Sequence, residues 1–258
     1  MQLFEIVGGT RLKGTVEISG AKNAALPIMA ASILVDGETV LHNVPDLADV
    51  RQMQTLLARL GVKSERDASG AMHLRVEDEM NAHAEYELVS KMRASVCVMG
   101  PLLAKRRRAQ VSMPGGCAIG DRPIDLHILG LQSFGADFEL VNGDVLLRAK
   151  KLKGSEVFLG GPFGSSVTAT ANVMMAATLA EGRTVIASAA CEPEVVDLAN
   201  YLNTCGARIT GQGTPEINVE GVESLHGAEH RIIPDRIEAG TFMMAAAITN
   251  GDLELQGA

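Results

Sequence analysis

An α/β fold, built from repeated strand–helix–strand–helix–strand–strand (βαβαββ) units, is what this sequence predicts, and three observations carry that expectation. Short stretches with period-two alternation, bounded by glycine, are interleaved with longer stretches whose apolar residues recur at helical spacing. The pattern repeats: Leu12-Lys13-Gly14 returns as Leu152-Lys153-Gly154, Gly37-Glu38-Thr39-Val40 as Gly182-Arg183-Thr184-Val185, and Leu60-Gly61-Val62-Lys63 as Cys205-Gly206-Ala207-Arg208. The composition is 47% hydrophobic but only 3% aromatic, with 27 glycines in 258 residues, which suits helices packed closely on sheets.

Taken in order, Phe4 to Val7 reads as a short strand and Gly14 to Ile18 as a second, with Gly8-Gly9-Thr10-Arg11 turning between them. Ala24 to Leu34, rich in Ala, Leu, Ile and Met, reads as a buried helix in which Pro27 is tolerable only within the first turn. Gly37 to Leu41 is a strand. Val44-Pro45-Asp46 opens a helix whose Val50, Met53, Leu56, Leu57 and Leu60 recur at helical spacing and which Gly61 ends. A hairpin follows, closed around Ser69-Gly70 and returning over Met72 to Val76. The next copy has a helix over Leu88 to Met99, a strand over Gln110 to Met113, a helix over Leu126 to Phe134 and a hairpin of Phe138 to Val141 with Val145 to Arg148. In the third, a helix over 194–204 follows Pro193. A fourth starts at Ile232, where Met243-Met244-Ala245-Ala246 follows Met174-Met175-Ala176-Ala177 residue for residue. It stops at Ala258, before a second helix and hairpin, so the natural chain is expected to be longer.

A net charge of −8 argues against a general nucleic-acid binder, and the absence of Trp, with six Phe and two Tyr, removes the usual stacking platforms. No run of 18 apolar residues and no basic-then-apolar leader occurs, so a membrane partner is not expected and the cytoplasm is the default compartment. The cysteines, at 97, 117, 191 and 205, have neither C-x-x-C spacing nor a metal-site pattern with histidine; Cys97 and Cys205 lie in apolar surroundings and read as buried.

Cys117 differs. It lies in Pro114-Gly115-Gly116-Cys117-Ala118-Ile119-Gly120-Asp121-Arg122-Pro123-Ile124-Asp125-Leu126-His127, where three glycines and two prolines impose an irregular loop that Arg122 supplies with a fixed positive charge. Such surroundings favour a reactive thiol, against the alternative of an incidental surface cysteine. Lys22-Asn23, at the turn from strand to helix, stands where anions bind, and a lysine there opposes the helix dipole unless an anion accompanies it. Arg93 is a charge in an otherwise apolar helix, matched either by a bound phosphate or carboxylate or by a structural salt bridge. Asp125 caps a helix or faces a ligand. Glu192, Glu194 and Asp197 read as ordinary acids of the first helical turn. Ser165-Ser166-Val167-Thr168 and Asp235-Arg236-Ile237-Glu238 occupy the turn that Lys22-Asn23 occupies in the first copy.

Gly20-Ala21-Lys22-Asn23-Ala24-Ala25-Leu26-Pro27, Pro114-Gly115-Gly116-Cys117, Arg122-Pro123-Ile124-Asp125-Leu126-His127, Glu192-Pro193-Glu194-Val195-Val196-Asp197 and Pro234-Asp235-Arg236-Ile237-Glu238-Ala239-Gly240-Thr241 together resemble the motifs of the UDP-N-acetylglucosamine 1-carboxyvinyltransferase family of enolpyruvyl transferases. The resemblance runs along the whole chain. It implies an inside-out α/β barrel of two similar domains, with 21–230 in the first and 1–20 and 231–258 in an incomplete second. It also implies transfer of enolpyruvate from phosphoenolpyruvate to the 3-hydroxyl of UDP-N-acetylglucosamine, the first committed step of peptidoglycan synthesis, a reaction that needs no metal or organic cofactor.

By the same resemblance Lys22 binds phosphoenolpyruvate. Asn23, Arg93, Arg122, Pro123, Ile124, Asp125, Leu126, Ser166, Val167 and Asp235 line the substrate sites, and Cys117 is the proton-donating thiol that fosfomycin attacks. Lys22, Cys117 and Arg122 are thereby the catalytic set. The chain departs from many members in having Gly164 where a basic residue precedes Ser166. The family's catalytic aspartate falls after Ala258, so this chain alone is expected to be inactive. The alternatives are a non-catalytic UDP-sugar-binding homologue and the shikimate-pathway enolpyruvyl transferase.

Overall fold

The computed structural model describes residues 3, 5–113, 123–162 and 164–258. Its fold is α/β, and the repeat read from the sequence appears as three four-stranded sheets of one design. In each, an edge strand runs parallel to the next strand, which pairs antiparallel with a third, and the third closes a hairpin with the fourth. The first sheet is Glu229–Arg231, Glu38–His42, Met72–Val76, Val62–Arg66. The second is His83–Ala84, Arg108–Ser112, Asp144–Arg148, Asp137–Val141. The third is Glu156–Phe158, Arg183–Ala187, Glu216–Glu220, Arg208–Thr210. The hairpin turn of the second sheet needs positive φ at both central positions, and Asn142 (φ 53) and Gly143 (φ 87) supply it.

The sheets enclose three helices that are apolar on every side: α1 (Lys22–Ala31), buried from Ala24 to Ala31; α4 (Met99–Arg106), buried from Met99 to Ala104; and α6 (Val167–Ala177), buried from Ala169 to Ala177. Their small side chains allow close approach. A Cβ on Gly100 of α4 would stand 2.2 Å from the backbone oxygen of Asn172 in α6, so the two backbones touch. The other helices bury one face: α2 (Ala48–Arg59) through Val50, Met53, Leu56 and Leu57, α5 (Asp125–Ser133) through His127, Gly130 and Leu131, and α7 (Pro193–Thr204) through residues that include Val195, Leu198, Tyr201 and Leu202. Cys97 and Cys205 are buried, as their apolar surroundings imply.

Three expectations are corrected. Residues 5–7 form no strand; Ile6 and Val7 are exposed, with nothing to pair or pack against. Helix α1 begins at Lys22, two residues early, which puts Pro27 beyond the first turn. Burial of the whole helix outweighs the one missing N–H, and the carbonyl that loses its donor belongs to exposed Asn23. The helix expected over 88–99 is broken into α3 (Tyr86–Val89), a 3-10 helix (Arg93–Val98) and α4. The strand Lys13–Glu17 lies apart from the three four-stranded sheets. It pairs in parallel with Asp252–Gln256, while Glu229–Arg231 takes the edge beside Glu38–His42.

This exchange makes two chain segments pass side by side. Gly20 bridges Pro234, the Ala21 N–H donates to the Ile233 carbonyl at 2.7 Å, and the Asp235 N–H donates to the Ser19 carbonyl at 2.8 Å. Glu238, in α8 (Arg236–Ile248), accepts from the Ser19 N–H at 2.9 Å. Space there is tight, since a Cβ on Gly20 would lie 1.7 Å from the Asn43 carbonyl oxygen. Gly20→Ala is therefore expected to lower unfolding stability by about 1–3 kcal/mol. Gly240→Ala, where a Cβ meets nothing within 4 Å, is the control. Equal denaturation midpoints for the two variants would refute tight packing at the crossing.

Candidate active site

Lys22 is the first residue of α1 and is half-buried. Its neighbour across the turn is Asp49, in the first turn of α2, and Lys22 Nζ stands 2.9 Å from Asp49 Oδ2. The residue before the helix, Ala21, offers no side-chain cap, so the Lys22 N–H donates to Asp235 Oδ2 at 3.3 Å. Asp235 also caps α8, its Oδ1 accepting from Ile237 N–H at 2.8 Å and Glu238 N–H at 3.1 Å. One carboxylate thus serves two helix starts. Asn23 is exposed beside them.

A second group forms around Arg93, the half-buried first residue of the 3-10 helix, which packs against both α1 and α6. Ile124 is buried just before α5, whereas Pro123 and Asp125 are exposed and Leu126 is half-buried. Ser166 caps α6 by accepting from Ala169 N–H at 3.3 Å, and Val167 is the first helical residue. Gly164 has φ 89, a conformation that a basic side chain would adopt only under strain, and this accounts for the glycine there. Cys117 and Arg122 lie outside the described residues.

The two groups are joined by the packing of α1 on the 3-10 helix. Between α5 and α6 sits His127, fully buried, its Nδ1 2.9 Å from Asn172 Nδ2 and its Nε2 3.1 Å from Thr168 Oγ1. Burial, with the Arg93 charge adding to it, pushes the ring down to about 3, so it is neutral at pH 7. Burial likewise pushes the Cys97 thiol up to about 12, against the opposing pull of Arg93.

Sequence reading missed several partners. Glu194 and Asp197 are buried rather than ordinary first-turn acids. Glu194 holds Arg236 with both oxygens, at 2.9 and 3.2 Å, while Asp197 takes His230 Nε2 at 2.9 Å and the Ile233 N–H at 3.3 Å. Asn172 was missed too, although a lone amide in the otherwise apolar run Ala171-Asn172-Val173-Met174-Met175 is a signal that marks a buried polar group. Among the described residues, no group of three or more His, Cys, Asp or Glu side chains could hold a metal ion, and no helix is long and apolar enough to cross a membrane.

A family model described as EPSP synthase (3-phosphoshikimate 1-carboxyvinyltransferase) matches residues 6–258. The chain is 52% identical over 258 residues to the UDP-N-acetylglucosamine 1-carboxyvinyltransferase of Methylacidiphilum infernorum, covering 100% of itself and 61% of that protein. It is 56% identical over 253 residues to UDP-N-acetylglucosamine 1-carboxyvinyltransferase 1 of Caldanaerobacter subterraneus, covering 98% of itself and 60% of the relative. It therefore spans about 60% of the length of these relatives. Among solved structures, the enolpyruvyl transferase NikO from Streptomyces tendae superposes with TM-score 0.80 at 23% identity, over 92% of this chain and 56% of that one. EPSP synthase from Acinetobacter baumannii superposes with TM-score 0.75 at 19% identity, over 97% of this chain and 57% of that one. Both likenesses are of fold.

The buried neutral His127 has a stability consequence. Its folded value, about 3, lies below the ordinary 6.5, so below pH 6.5 only the unfolded chain takes up the proton. The stability is complete above pH 6.5 and is lost as pH falls toward 3. Denaturant unfolding at pH 7 and pH 5 should show a fall smaller by about 1–2 kcal/mol in His127→Gln than in the parent. Equal falls would mean that the ring is not held neutral.

Proposed function

The chain belongs to the EPSP synthase (3-phosphoshikimate 1-carboxyvinyltransferase) family, and on that premise we propose that it is part of an enzyme transferring the enolpyruvyl group of phosphoenolpyruvate to the 3-hydroxyl of UDP-N-acetylglucosamine, with release of phosphate. The observation that carries the choice of acceptor is sequence identity. Relatives that share half of its residues or more bear the UDP-N-acetylglucosamine name, whereas the superposed EPSP synthase shares under a fifth.

In this reading a proton from the Cys117 thiol goes to the enolpyruvate methylene, which leaves the adjacent carbon electrophilic. The sugar hydroxyl adds to that carbon and gives up its proton. Loss of a proton from the new methyl group then restores the double bond as phosphate departs. Lys22, Arg93 and Arg122 supply the positive charge that holds phosphate and carboxylate through these steps. Asn23, Pro123, Ile124, Asp125, Leu126, Ser166, Val167 and Asp235 line the substrate sites around them.

The Lys22–Asp49 pair supports the reading. At 37% and 39% side-chain exposure it contributes about 1 kcal/mol or less, so a doubly charged phosphate can draw the ammonium away cheaply. Neutral His127 leaves the Arg93 charge unopposed by a second cation. The reaction is placed in the cytoplasm, at the first committed step of peptidoglycan synthesis, with Cys117 the target of fosfomycin. Residues 21–230 are assigned to one domain, and 1–20 with 231–258 to a second.

Lys22→Ala should weaken phosphoenolpyruvate binding by about 10- to 100-fold, the loss of a charge-assisted phosphate contact of about 1.5–3 kcal/mol. In the full-length enzyme, titration calorimetry or KM in a phosphate-release assay reads this directly, and an unchanged constant would remove Lys22 from the site.

Limited epoxide treatment followed by peptide mapping should label Cys117 first. Burial holds the Cys97 and Cys205 thiols at about 12 and about 11, with Arg93 and Tyr201 pulling the other way, and leaves few reactive thiolates at either. Labelling of Cys97, Cys191 or Cys205 ahead of Cys117 would contradict the assignment.

A further inference from the structure

Asn172 lies in the middle of α6, buried in an otherwise apolar run, yet its amide oxygen and both of its N–H groups find partners on three other segments. Its Oδ1 accepts from the Gly100 N–H at 2.6 Å, a first-turn donor of α4 with no acceptor inside that helix. Its Nδ2 donates to the Val96 carbonyl of the 3-10 helix at 2.9 Å and to His127 Nδ1 at 2.9 Å. Two of these partners are backbone groups of fixed polarity, so the amide can sit only one way round. Its second N–H must then face His127 Nδ1, which is left to accept, and the ring carries its proton on Nε2. That proton is donated to Thr168 Oγ1 at 3.1 Å, back in the first turn of α6.

A side chain as short as asparagine reaches so far because two glycines bring the helices into contact. Gly100 lies on the backbone of Asn172, and a Cβ on Gly130 of α5 would come within 2.3 Å of Val173 Cγ2, one residue along α6. His127, one turn before Gly130, is thereby brought up to the amide. The 3-10 helix passes into α4 at the same place, and Asn172 serves both sides of that junction: Val96 before and Gly100 after.

We propose that Asn172 is a positioning residue of the substrate site, its single amide holding in register the segments that present Arg93, Asp125 with Leu126, and Ser166 with Val167. Its bearing on substrate rests on the function proposed above; the register itself does not. Val96 lies three residues after Arg93, His127 directly after Leu126, and Thr168 directly after Val167. The amide therefore acts on all three within one helical turn, without touching a ligand.

The test is Asn172→Asp, which keeps the shape and the acceptor for Gly100 but removes both donors. In the parent protein, side-chain nitrogen NMR of His127 at pH 7 should report the Nε2–H tautomer. In the variant, Nδ1 should carry a proton, because it must now donate to a carboxylate. The backbone amide signals of Arg93, Leu126 and Val167 should move together, while those of Asp67–Ala71 and Asn142–Gly143 stay in place. The dissociation constant for UDP-N-acetylglucosamine should rise about tenfold with the folded fraction unchanged. An Nδ1–H tautomer in the parent, or shifts confined to α6 with affinity unchanged, would overturn the proposal. Should Asn172→Asp not fold, the parent tautomer and Thr168→Val decide. That variant should move the Leu126 and Val167 signals and leave Arg93 in place; stationary Leu126 and Val167 signals would count against it. If the parent binds no UDP-N-acetylglucosamine, the proposed function fails, while tautomer and shifts still judge Asn172.

Discussion

Three helices enclosed on all sides must still satisfy the N–H groups of their first turns, and that constraint shapes the site. Water is not available along the enclosed part of an inner helix, and a side-chain acceptor stands at each start. For α6 it is the local cap Ser166, for α1 it is Asp235 across the chain crossing, and for α4 it is Asn172 from a neighbouring inner helix. The polar groups that make burial tolerable are therefore gathered at the ends where the substrate-binding candidates stand. Stability and function draw on the same residues.

Charge follows from this arrangement. Lys22 and Arg93 lie at helix starts, where the dipole repels cations, so each is held by something else. Lys22 has a half-exposed partner in Asp49, cheap to exchange for an anion. Beside Arg93 stands an imidazole that burial, with the Arg93 charge itself, keeps neutral. Lys22 thus keeps a half-exposed, exchangeable ion pair at the start of α1.

The exchange of edge strands has its own supports. The segment 229–236 enters the first sheet through Glu229–Arg231 and leaves through Pro234 into α8, and α7 holds it by two buried carboxylates, Asp197 on His230 and Ile233, Glu194 on Arg236. Those acids are what lets the chain cross itself at Gly20 and Pro234 without a long loop. The crossing in turn delivers Asp235 to the start of α1, so the position of Lys22 depends on contacts made far along the chain.

Most of the α/β pattern was legible in the residues themselves. Strand alternation, the spacing of Val50, Met53, Leu56 and Leu57, and the echo of Gly37-Glu38-Thr39-Val40 in Gly182-Arg183-Thr184-Val185 are local signals, and the three matching sheets follow from them. Lys22, Ser166 and Asp235 were legible as residues at helix starts that local chemistry marks, whereas Arg93, read as a charge within a helix, opens the 3-10 helix instead. Pairing was not legible. Which edge strand joins Glu38–His42, why the 3-10 helix gives way to α4 after Val98, and that Glu194, Asp197 and Asn172 face inward are decided by groups distant in sequence but adjacent in space. Local propensity carries no record of a partner's position, and only the folded packing of α4, α5 and α6 determines which backbone groups a single buried amide must satisfy.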